Sequence, residues 1–437
     1  MSAPSDPHLP ADPHSPDPAP TPFSVRLLSP AQWGLLSVTF LMWAGFFLII
    51  PLVTVHFVGG LGWAAGAVGV VLGVRQLAQQ GLTVLGGAWA DRVGPRQLIL
   101  WGCLLRAAGF AGMAFSDTFT ALLLSSLVAG VGGALFDAPK SAALTALTPV
   151  EYRPQLFSLL SVAGNLGMVL GPLLGAAMIG LGFPTAALIS ASAYVLCWLI
   201  LRLTLPDVRP TQSGGGGLDG LRHAVRDRRF VRLTLALIGY FLLSTQLNVA
   251  VTLKAVALAG TGATGPLYAL NAGLAVALQY PLLRWAEGRF RARTILTAAV
   301  TLVALSLGLM GFANTFPLLL ACTALYSLGT MLVFPTQQTL VSRLAPPELL
   351  GSYFGFSAIS LGVGGALGNV LGGSLVDYGA ALGWPELPWL LLMATGFLTV
   401  AALRWALREV PAAAPGQDPE QTQNQGGQDP GSGHSAR

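Results

Sequence analysis

The chain has 437 residues, of which 53% are hydrophobic and only 9% are charged. Because soluble proteins carry roughly a quarter charged residues, this composition excludes an ordinary water-soluble domain and predicts that a lipid bilayer surrounds most of the chain. The net charge of +5 does not by itself indicate a nucleic-acid binder, which concentrates its basic residues on one exposed patch.

The two ends of the chain are hydrophilic. Residues 1–22 contain eight prolines and no Lys or Arg, and residues 410–437 are rich in Gln, Gly, Pro and Ala. Segments of this composition cannot bury an apolar core, so we interpret both as disordered cytoplasmic tails. They flank a predicted N-terminal bundle (23–205), a cytoplasmic linker (206–231) and a C-terminal bundle (232–409).

Apolar runs broken by Gly, Pro or charge predict twelve membrane-spanning helices between the tails. Each is close to the length of about 20 residues that a bilayer requires. The predicted spans lie at 33–57, 65–89, 97–115, 119–140, 155–180, 184–204, 232–258, 265–285, 294–313, 317–342, 352–378 and 388–408.

Lys and Arg are distributed unevenly among the predicted loops. With a cytoplasmic N-terminus, the inner segments hold 20 of the 23 basic residues and the outer loops hold none. Such a bias sets orientation, so both termini are predicted to be cytoplasmic and nucleic acid is not needed to explain the positive charge. The other three basic residues, Arg75, Arg106 and Lys254, fall inside spans.

An internal repeat is present at an offset of 196 to 197 residues. Trp89-Ala90-Asp91 recurs as Trp285-Ala286-Glu287, and Gly167, Gly171 and Gly175 recur as Gly364, Gly368 and Gly372. These matches predict an all-α membrane protein whose twelve helices form two pseudo-symmetric six-helix bundles. Such repeats rock about a site near the bilayer midplane.

Several motifs resemble those of a known family. Gly87-Ala-Trp-Ala-Asp91-Arg92-Val-Gly94-Pro95-Arg96 resembles the loop 2–3 signature of the major facilitator superfamily, and Gly167-x-x-x-Gly171-Pro172-x-x-Gly175 resembles the span-5 signature of its antiporters. Longer tracts, including Gly73-x-Arg75-Gln76-x-x-Gln79-Gln80-Gly81 and Phe136-Asp137-x-Pro139, are similar to a bacterial drug/proton antiporter branch, the MdtH-like multidrug-resistance proteins. The resemblance implies the major facilitator fold, a bacterial inner-membrane location, and export of amphipathic drugs by alternating access in exchange for protons. We expect a monomer.

The resemblance assigns a gating role to the loop between spans 2 and 3. In the family this loop contacts span 11 and holds the outward-facing state, which implies gate residues Gly87, Asp91, Arg92, Gly94 and Arg96. Pro95 stands where relatives often carry a basic residue, so we expect Arg92 or Arg96 to pair with Asp137. The alternative is a charged turn that only follows the positive-inside rule.

The span-5 glycines remove side chains at every fourth position. Gly167, Gly171 and Gly175 therefore predict a close approach of another helix backbone, and Pro172, which removes one internal hydrogen bond, predicts a bend. Helix packing without a role in transport is the alternative.

Two arginines are predicted near the bilayer midplane. Arg75 lies about 10 residues, or about 15 Å, into span 2, and Arg106 about nine residues into span 3. Intramembrane charge marks a functional site by default. No carboxylate is predicted at this depth, so Arg75 is expected to be satisfied by Gln79, by carbonyls or by an acidic cargo; a structural arginine is the alternative.

Polar residues of other spans complete a predicted substrate cavity, mostly apolar and suited to amphipathic ligands. They are Gln246, Tyr268, Asn271, Gln279 and Tyr326, among the aromatic Trp43, Phe46 and Phe47. Spans 1 and 7 contain no acid. Asp137, about 18 residues or 27 Å into span 4, is predicted near the cytoplasmic side and is the candidate for proton coupling.

The sequence does not favour an enzyme. His-Glu-x-x-His, Gly-x-Ser-x-Gly and a phosphate loop are absent, and the five histidines are scattered. We therefore expect no catalytic residues, no cofactor and no metal; the expected partners are the small molecule, protons and the lipid bilayer. Two alternatives stay open: a proton-coupled or facilitated importer of a small metabolite, and a non-transporting receptor or scaffold.

Overall fold

The computed structural model describes residues 28–149, 152–207, 217–346 and 349–409. At residues 84–92 and a few other positions it describes the backbone but not the side chain. The predicted tails, 1–22 and 410–437, lie outside these residues. Within them the regular elements are all helical. The main helices are α1 (Pro30–Thr54), α2 (Ala65–Val93), α3 (Pro95–Ala114), α4 (Phe119–Ala146), α5 (Arg153–Ala177), α6 (Phe183–Thr204), α7 (Gly217–Arg226), α8 (Arg228–Ser244), α9 (Ala250–Ala259), α10 (Thr264–Glu287), α11 (Ala292–Gly311), α12 (Phe316–Leu344), α13 (Leu350–Ala381) and α14 (Leu387–Ala406).

Local sequence explains two of the helix starts that frame the first bundle. Ser29 and Gln32 form a reciprocal capping box at the start of α1, which satisfies two backbone N–H groups that the first turn leaves without partners. Gly94 has a φ of 93°, a conformation that favours glycine, and Pro95 begins α3 at a position where a missing N–H costs nothing. The turn between α2 and α3 is therefore set by Gly94-Pro95.

The helices agree with the predicted spans to within a few residues, with two exceptions. Helix α4 continues to Ala146, six residues beyond the predicted end of span 4. Predicted span 7 is not continuous, because a 3-10 segment, Thr245–Asn248, separates α8 from α9. Within the described residues, ten helical spans are long and apolar enough to cross a membrane; α2 and α10, the more polar pair, complete the twelve.

Two separate apolar cores divide the molecule into halves. One consists of residues from α1 to α6, joined by Val249, and the other of residues 233–407. Within the predicted linker 206–231, the structure shows the short helix α7, whose buried Ala224 packs with Phe230 and Tyr353 of the C-terminal half.

The repeated glycines make equivalent contacts in the two halves. Gly167, Gly171 and Gly175 of α5 face the backbone oxygens of Phe40, Ala44 and Leu48 in α1. Gly364 and Gly368 of α13 face the backbone oxygens of Ile238 and Leu242 in α8 in the same way, whereas Gly372 faces the side-chain amide of Gln246. Each ladder thus lets two helix backbones approach closely, and the internal duplication predicted from the sequence corresponds to a structural repeat.

Adding one methyl group to the second ladder is expected to destabilise the protein. A Cβ at Gly368 would meet the backbone of Leu242, so α8 and α13 must separate, at a cost of about 1–3 kcal/mol. Gly355 lies in the same helix, and a Cβ added there would have no heavy atom within 4 Å. Gly368→Ala should therefore lower the melting temperature in detergent, whereas Gly355→Ala should not; equal melting temperatures would contradict this packing.

The two halves are hydrogen-bonded to each other at one end of the molecule. We call this the outer end, because it carries the predicted outer loops. Among the described residues, Thr54 donates to the carbonyl of Asn248, and the carboxylate of Asp377 in α13 accepts from the N–H groups of Ala65 (3.0 Å) and Gly66 (2.7 Å). Asp377 therefore caps α2 across the boundary between the halves, where the helix end is positive.

Removing the charge of Asp377 is expected to loosen the outer end. Asp377→Asn keeps one acceptor but loses a charge-assisted bond of about 1.5–3 kcal/mol, which should raise the ratio of outward-open to outward-closed molecules about tenfold or more. A cysteine introduced at Ala176 in α5 should then react faster with a membrane-impermeant thiol reagent. Asp117→Asn, at an exposed carboxylate between α3 and α4, is the matched control. Unchanged reactivity in Asp377→Asn would show that this contact does not hold the outer end closed.

Candidate functional site

A cavity of about 390 Å³ lies between the two halves. Helices α1, α2 and α5 form one wall; α8, the 3-10 segment, α10 and α13 form the other. This volume is within the range of small-molecule sites. The break in predicted span 7 borders the cavity, where Ser244, Leu247 and Asn248 line it.

Three aromatic side chains of α1 form an apolar wall of the cavity. Trp43 stacks on Phe47 with ring centroids 5.8 Å apart, and Phe46 meets Phe47 edge to face at 5.0 Å. On the other side of the same helix turns, the small residues Ala44 and Gly45 contact α5 and α6. The alternation of small and aromatic residues around 3.6-residue turns therefore directs the rings into the cavity.

The structure places five of the predicted polar residues on the cavity wall: Arg75, Gln79, Tyr268, Asn271 and Gln279. It adds four amides that sequence reasoning did not assign to the cavity: Gln76, Gln80, Asn165 and Asn248. All four are polar residues within apolar spans, which is the signal that could have identified them. Arg75 is the one charged residue among the described residues on this wall.

Three predicted cavity residues, Arg106, Gln246 and Tyr326, do not line the cavity, and these predictions are wrong. Gln246 is fully buried and its amide donates to the carbonyls of Leu242 (2.7 Å) and Gly368 (3.0 Å), so it joins α8 to α13. Tyr326 is also buried, and its hydroxyl donates to the carbonyl of Ser244 at 2.6 Å. Both satisfy backbone groups near the break in span 7 and do not face the cavity.

A chain of hydrogen bonds connects Arg75 to an acid. The guanidinium of Arg75 donates to the side-chain oxygen of Gln79 at 2.9 Å, and the amide of Gln79 donates to the carboxylate of Asp137 at 3.0 Å. The expectation that no carboxylate lies near Arg75 is therefore wrong. Arg75 also donates to Gln76 and lies 4.5 Å from the ring centre of Phe46, but its Nε has no described partner.

Asp137 lies within α4 and not at its end. Helix α4 continues for nine residues after it, about 14 Å at 1.5 Å per residue, so the residue is not near the helix end. Its second contact is with Lys140, at 4.0 Å. Arg96 does not reach it, because the Arg96 guanidinium donates to the carbonyl of Arg202 at the end of α6. Of the two predicted partners of Asp137, Arg96 therefore does not contact it, and the side chain of Arg92 lies outside the described residues.

Arg106 lines a smaller side pocket instead of the main cavity. This pocket also includes Asp137, and it shares Trp43, Phe46 and Gln79 with the main cavity. The Arg106 guanidinium is buried, lies 5.9 Å from the ring centre of Phe46 and 5.5 Å from that of Tyr194, and has no described hydrogen-bond partner for its Nε. Asp137 is thus surrounded by Lys140, Arg106 and, through Gln79, Arg75.

The remaining predicted residues have these positions. Gly94 forms the turn described above, whereas the contacts of Gly87, Asp91 and Arg92 lie outside the described residues. Pro172 borders the cavity, beside the α5 glycines. Lys254 donates to the carbonyl of Gly311 at 2.7 Å, which caps the end of α11 and is a structural role.

The arrangement combines aromatic surface, several amides and one arginine. Aromatic rings can accept apolar ligands of varied shape, and amides can donate to or accept from their polar groups. A buried arginine favours an anionic group on the ligand. The geometry therefore suits amphipathic small molecules.

Comparisons with known proteins give a consistent result. The sequence profile described as Major Facilitator Superfamily matches residues 35–289 and 255–429. The Multidrug resistance protein MdtH of Aeromonas hydrophila is 40% identical over 388 residues, which cover 88% of this chain and 97% of that protein. The protein of the same name from Salmonella typhimurium is 38% identical over 375 residues, with 86% and 93% covered.

Solved structures show the same fold at low identity. A mutant of the nucleoside transporter NupG matches with a TM-score of 0.73 and 16% identity, covering 86% of this chain and 100% of that one. A bacterial homologue of the human lysosomal transporter Spinster, in an inward-facing and unoccupied conformation, matches with a TM-score of 0.67 and 16% identity, covering 86% and 95%. The chain is a multi-pass membrane protein that belongs to the major facilitator superfamily.

Proposed function

We propose that this protein exports amphipathic drugs or related small molecules by alternating access, in exchange for protons. The observation that carries the proposal is the cavity between the two halves, with its aromatic wall of Trp43, Phe46 and Phe47, its amides and its single arginine. The sequence identity of 38–40% to proteins named for multidrug resistance supports export as the direction of transport and drugs as the class of cargo.

The contacts between the halves support alternating access. Asp377 and Thr54 join the halves at the outer end, and Gly265 of α10 approaches Ala176 of α5 there. Opening this end requires these contacts to break while others form at the opposite end, which is the rocking motion expected of two repeats around a central site. We place the protein in the bacterial inner membrane as a monomer, with both termini in the cytoplasm.

Asp137 is the residue that we propose to carry the coupled proton. Among the described side chains, it is the carboxylate that reaches the cavity region, and Gln79 links it to Arg75 on the cavity wall. Protonation of Asp137 removes the negative charge that this relay presents to Arg75. The proton and the cargo can therefore influence each other through a single amide side chain.

Transport in reconstituted vesicles tests the function. Vesicles containing the protein, with an imposed pH gradient, are loaded with a panel of fluorescent dyes and antibiotics, and empty vesicles serve as the control. We expect gradient-dependent extrusion of several chemically unrelated amphiphiles. Gradient-driven accumulation of a small polar metabolite would instead identify an importer, and no movement of any cargo would favour a receptor or scaffold.

A further inference from the structure

Two adjoining hollows lie between α11 and α14, away from the drug cavity. The first, about 300 Å³, is lined at its polar end by Arg293, Thr294, Arg404 and Arg408. The second, about 430 Å³, shares Arg404 and Arg408 and extends along an apolar surface. We call the two together the α11–α14 groove.

The polar end of the groove has an excess of positive charge. Arg293, Arg404 and Arg408 are exposed, and no carboxylate among the described side chains lies within ion-pair distance of any of them. Arg293 is in the first turn of α11, whose N-cap residue Arg291 makes no side-chain cap, so the positive end of that helix adds to the same field. Three guanidinium groups that repel one another are stabilised by an anion between them.

The apolar part of the groove runs toward the membrane interior. Thr301 is seven residues beyond Thr294 in α11, and Phe397 is seven residues before Arg404 in α14, so both helices carry the groove about 10 Å deeper. Phe397 is 43% exposed, and Trp405, 54% exposed, lies beside the Arg232 guanidinium in a position typical of the membrane interface.

We propose that the α11–α14 groove binds an anionic phospholipid of the cytoplasmic leaflet. Its phosphate lies between Arg293 and Arg404, and an acyl chain runs against Phe397 and Val400. A free phosphate would occupy the polar hollow alone and leave the apolar one unused. Basic pockets between spans on the cytoplasmic side are suited to anionic lipid headgroups. The proposal does not depend on which drug the protein carries.

Native mass spectrometry of the delipidated protein, with phosphatidylglycerol or phosphatidylcholine added, tests the proposal. We expect a one-lipid adduct that strongly favours phosphatidylglycerol. Each arginine near an anionic headgroup contributes about fivefold in binding, so Arg293→Gln combined with Arg404→Gln should weaken the adduct about 25-fold. Arg222→Gln combined with Arg343→Gln removes the same amount of charge from exposed sites outside the groove. This control variant should bind phosphatidylglycerol as strongly as the wild type.

A second variant and a second ligand distinguish the lipid from a soluble anion. Ala401→Trp fills the apolar hollow from an exposed position and leaves the arginines intact, so it should remove the phosphatidylglycerol adduct. Thermal melting with inorganic phosphate should show no stabilisation comparable to that by the lipid. The proposal is overturned if phosphatidylcholine binds equally well, if either groove variant retains the adduct, or if phosphate stabilises the protein as much as the lipid does.

Discussion

Replacing Asp137 with asparagine is expected to reduce drug efflux driven by a pH gradient at least about tenfold, while drug binding and gradient-independent exchange persist. The amide oxygen of the substituted side chain would still accept the hydrogen bond from Gln79, so the relay to Arg75 keeps its geometry. What is lost is the one described carboxylate of the cavity region, and with it the ability to release a proton. Efflux and dye exchange are measured in the same reconstituted vesicles.

Two further variants make this test specific. Asp207→Asn removes an exposed carboxylate after α6 and should leave gradient-driven efflux unchanged. Gln79→Met keeps Asp137 but breaks its link to Arg75 without changing charge, so coupling should also fall. Wild-type efflux in Asp137→Asn would assign the proton to another group, and wild-type efflux in Gln79→Met would show that the relay is not needed.

Removing the charge of Arg75 is expected to change which drugs are exported. Arg75 is 4% exposed and is the one charged residue among the described residues on the cavity wall, so it attracts carboxylates in a poorly solvated site. Arg75→Gln keeps a polar head of similar reach. It should weaken efflux of carboxylate-bearing drugs about tenfold more than efflux of purely cationic dyes, since an unpartnered charged group costs one to a few kcal/mol.

Arg106→Gln is the matched comparison, because Arg106 is equally buried but lines the side pocket instead of the main cavity. It should leave the ratio of carboxylate-drug efflux to cationic-dye efflux unchanged. Equal loss of both drug classes in Arg75→Gln would place that residue in the scaffold or in coupling. No change in either class would show that it does not contact the cargo.

The positions of the twelve spans could be predicted from the sequence because a bilayer imposes a simple rule. Each crossing needs about 20 apolar residues in a row, since backbone polar groups must be satisfied within the helix. The glycine ladders that begin at Gly167 and Gly364 could be predicted equally well. Glycine at every fourth position of a helix leaves one face without side chains, which allows another helix to approach closely. The break at Thr245–Asn248 was missed because the spans were divided at Gly, Pro and charged residues, and this polar segment contains none of them.

The direction of each polar side chain was decided only by the tertiary structure. Gln246 and Asn248 are two positions apart, yet Gln246 binds the α13 backbone and Asn248 lines the cavity. In a soluble helix the polar face points to water, but a membrane helix is apolar on all sides. Its sequence therefore indicates how deep a residue lies in the membrane, but not the direction in which its side chain points around the helix axis. Gln79 and Asp137, 58 residues apart, meet because α2 packs on α4, and that pairing follows from how the helices pack in three dimensions.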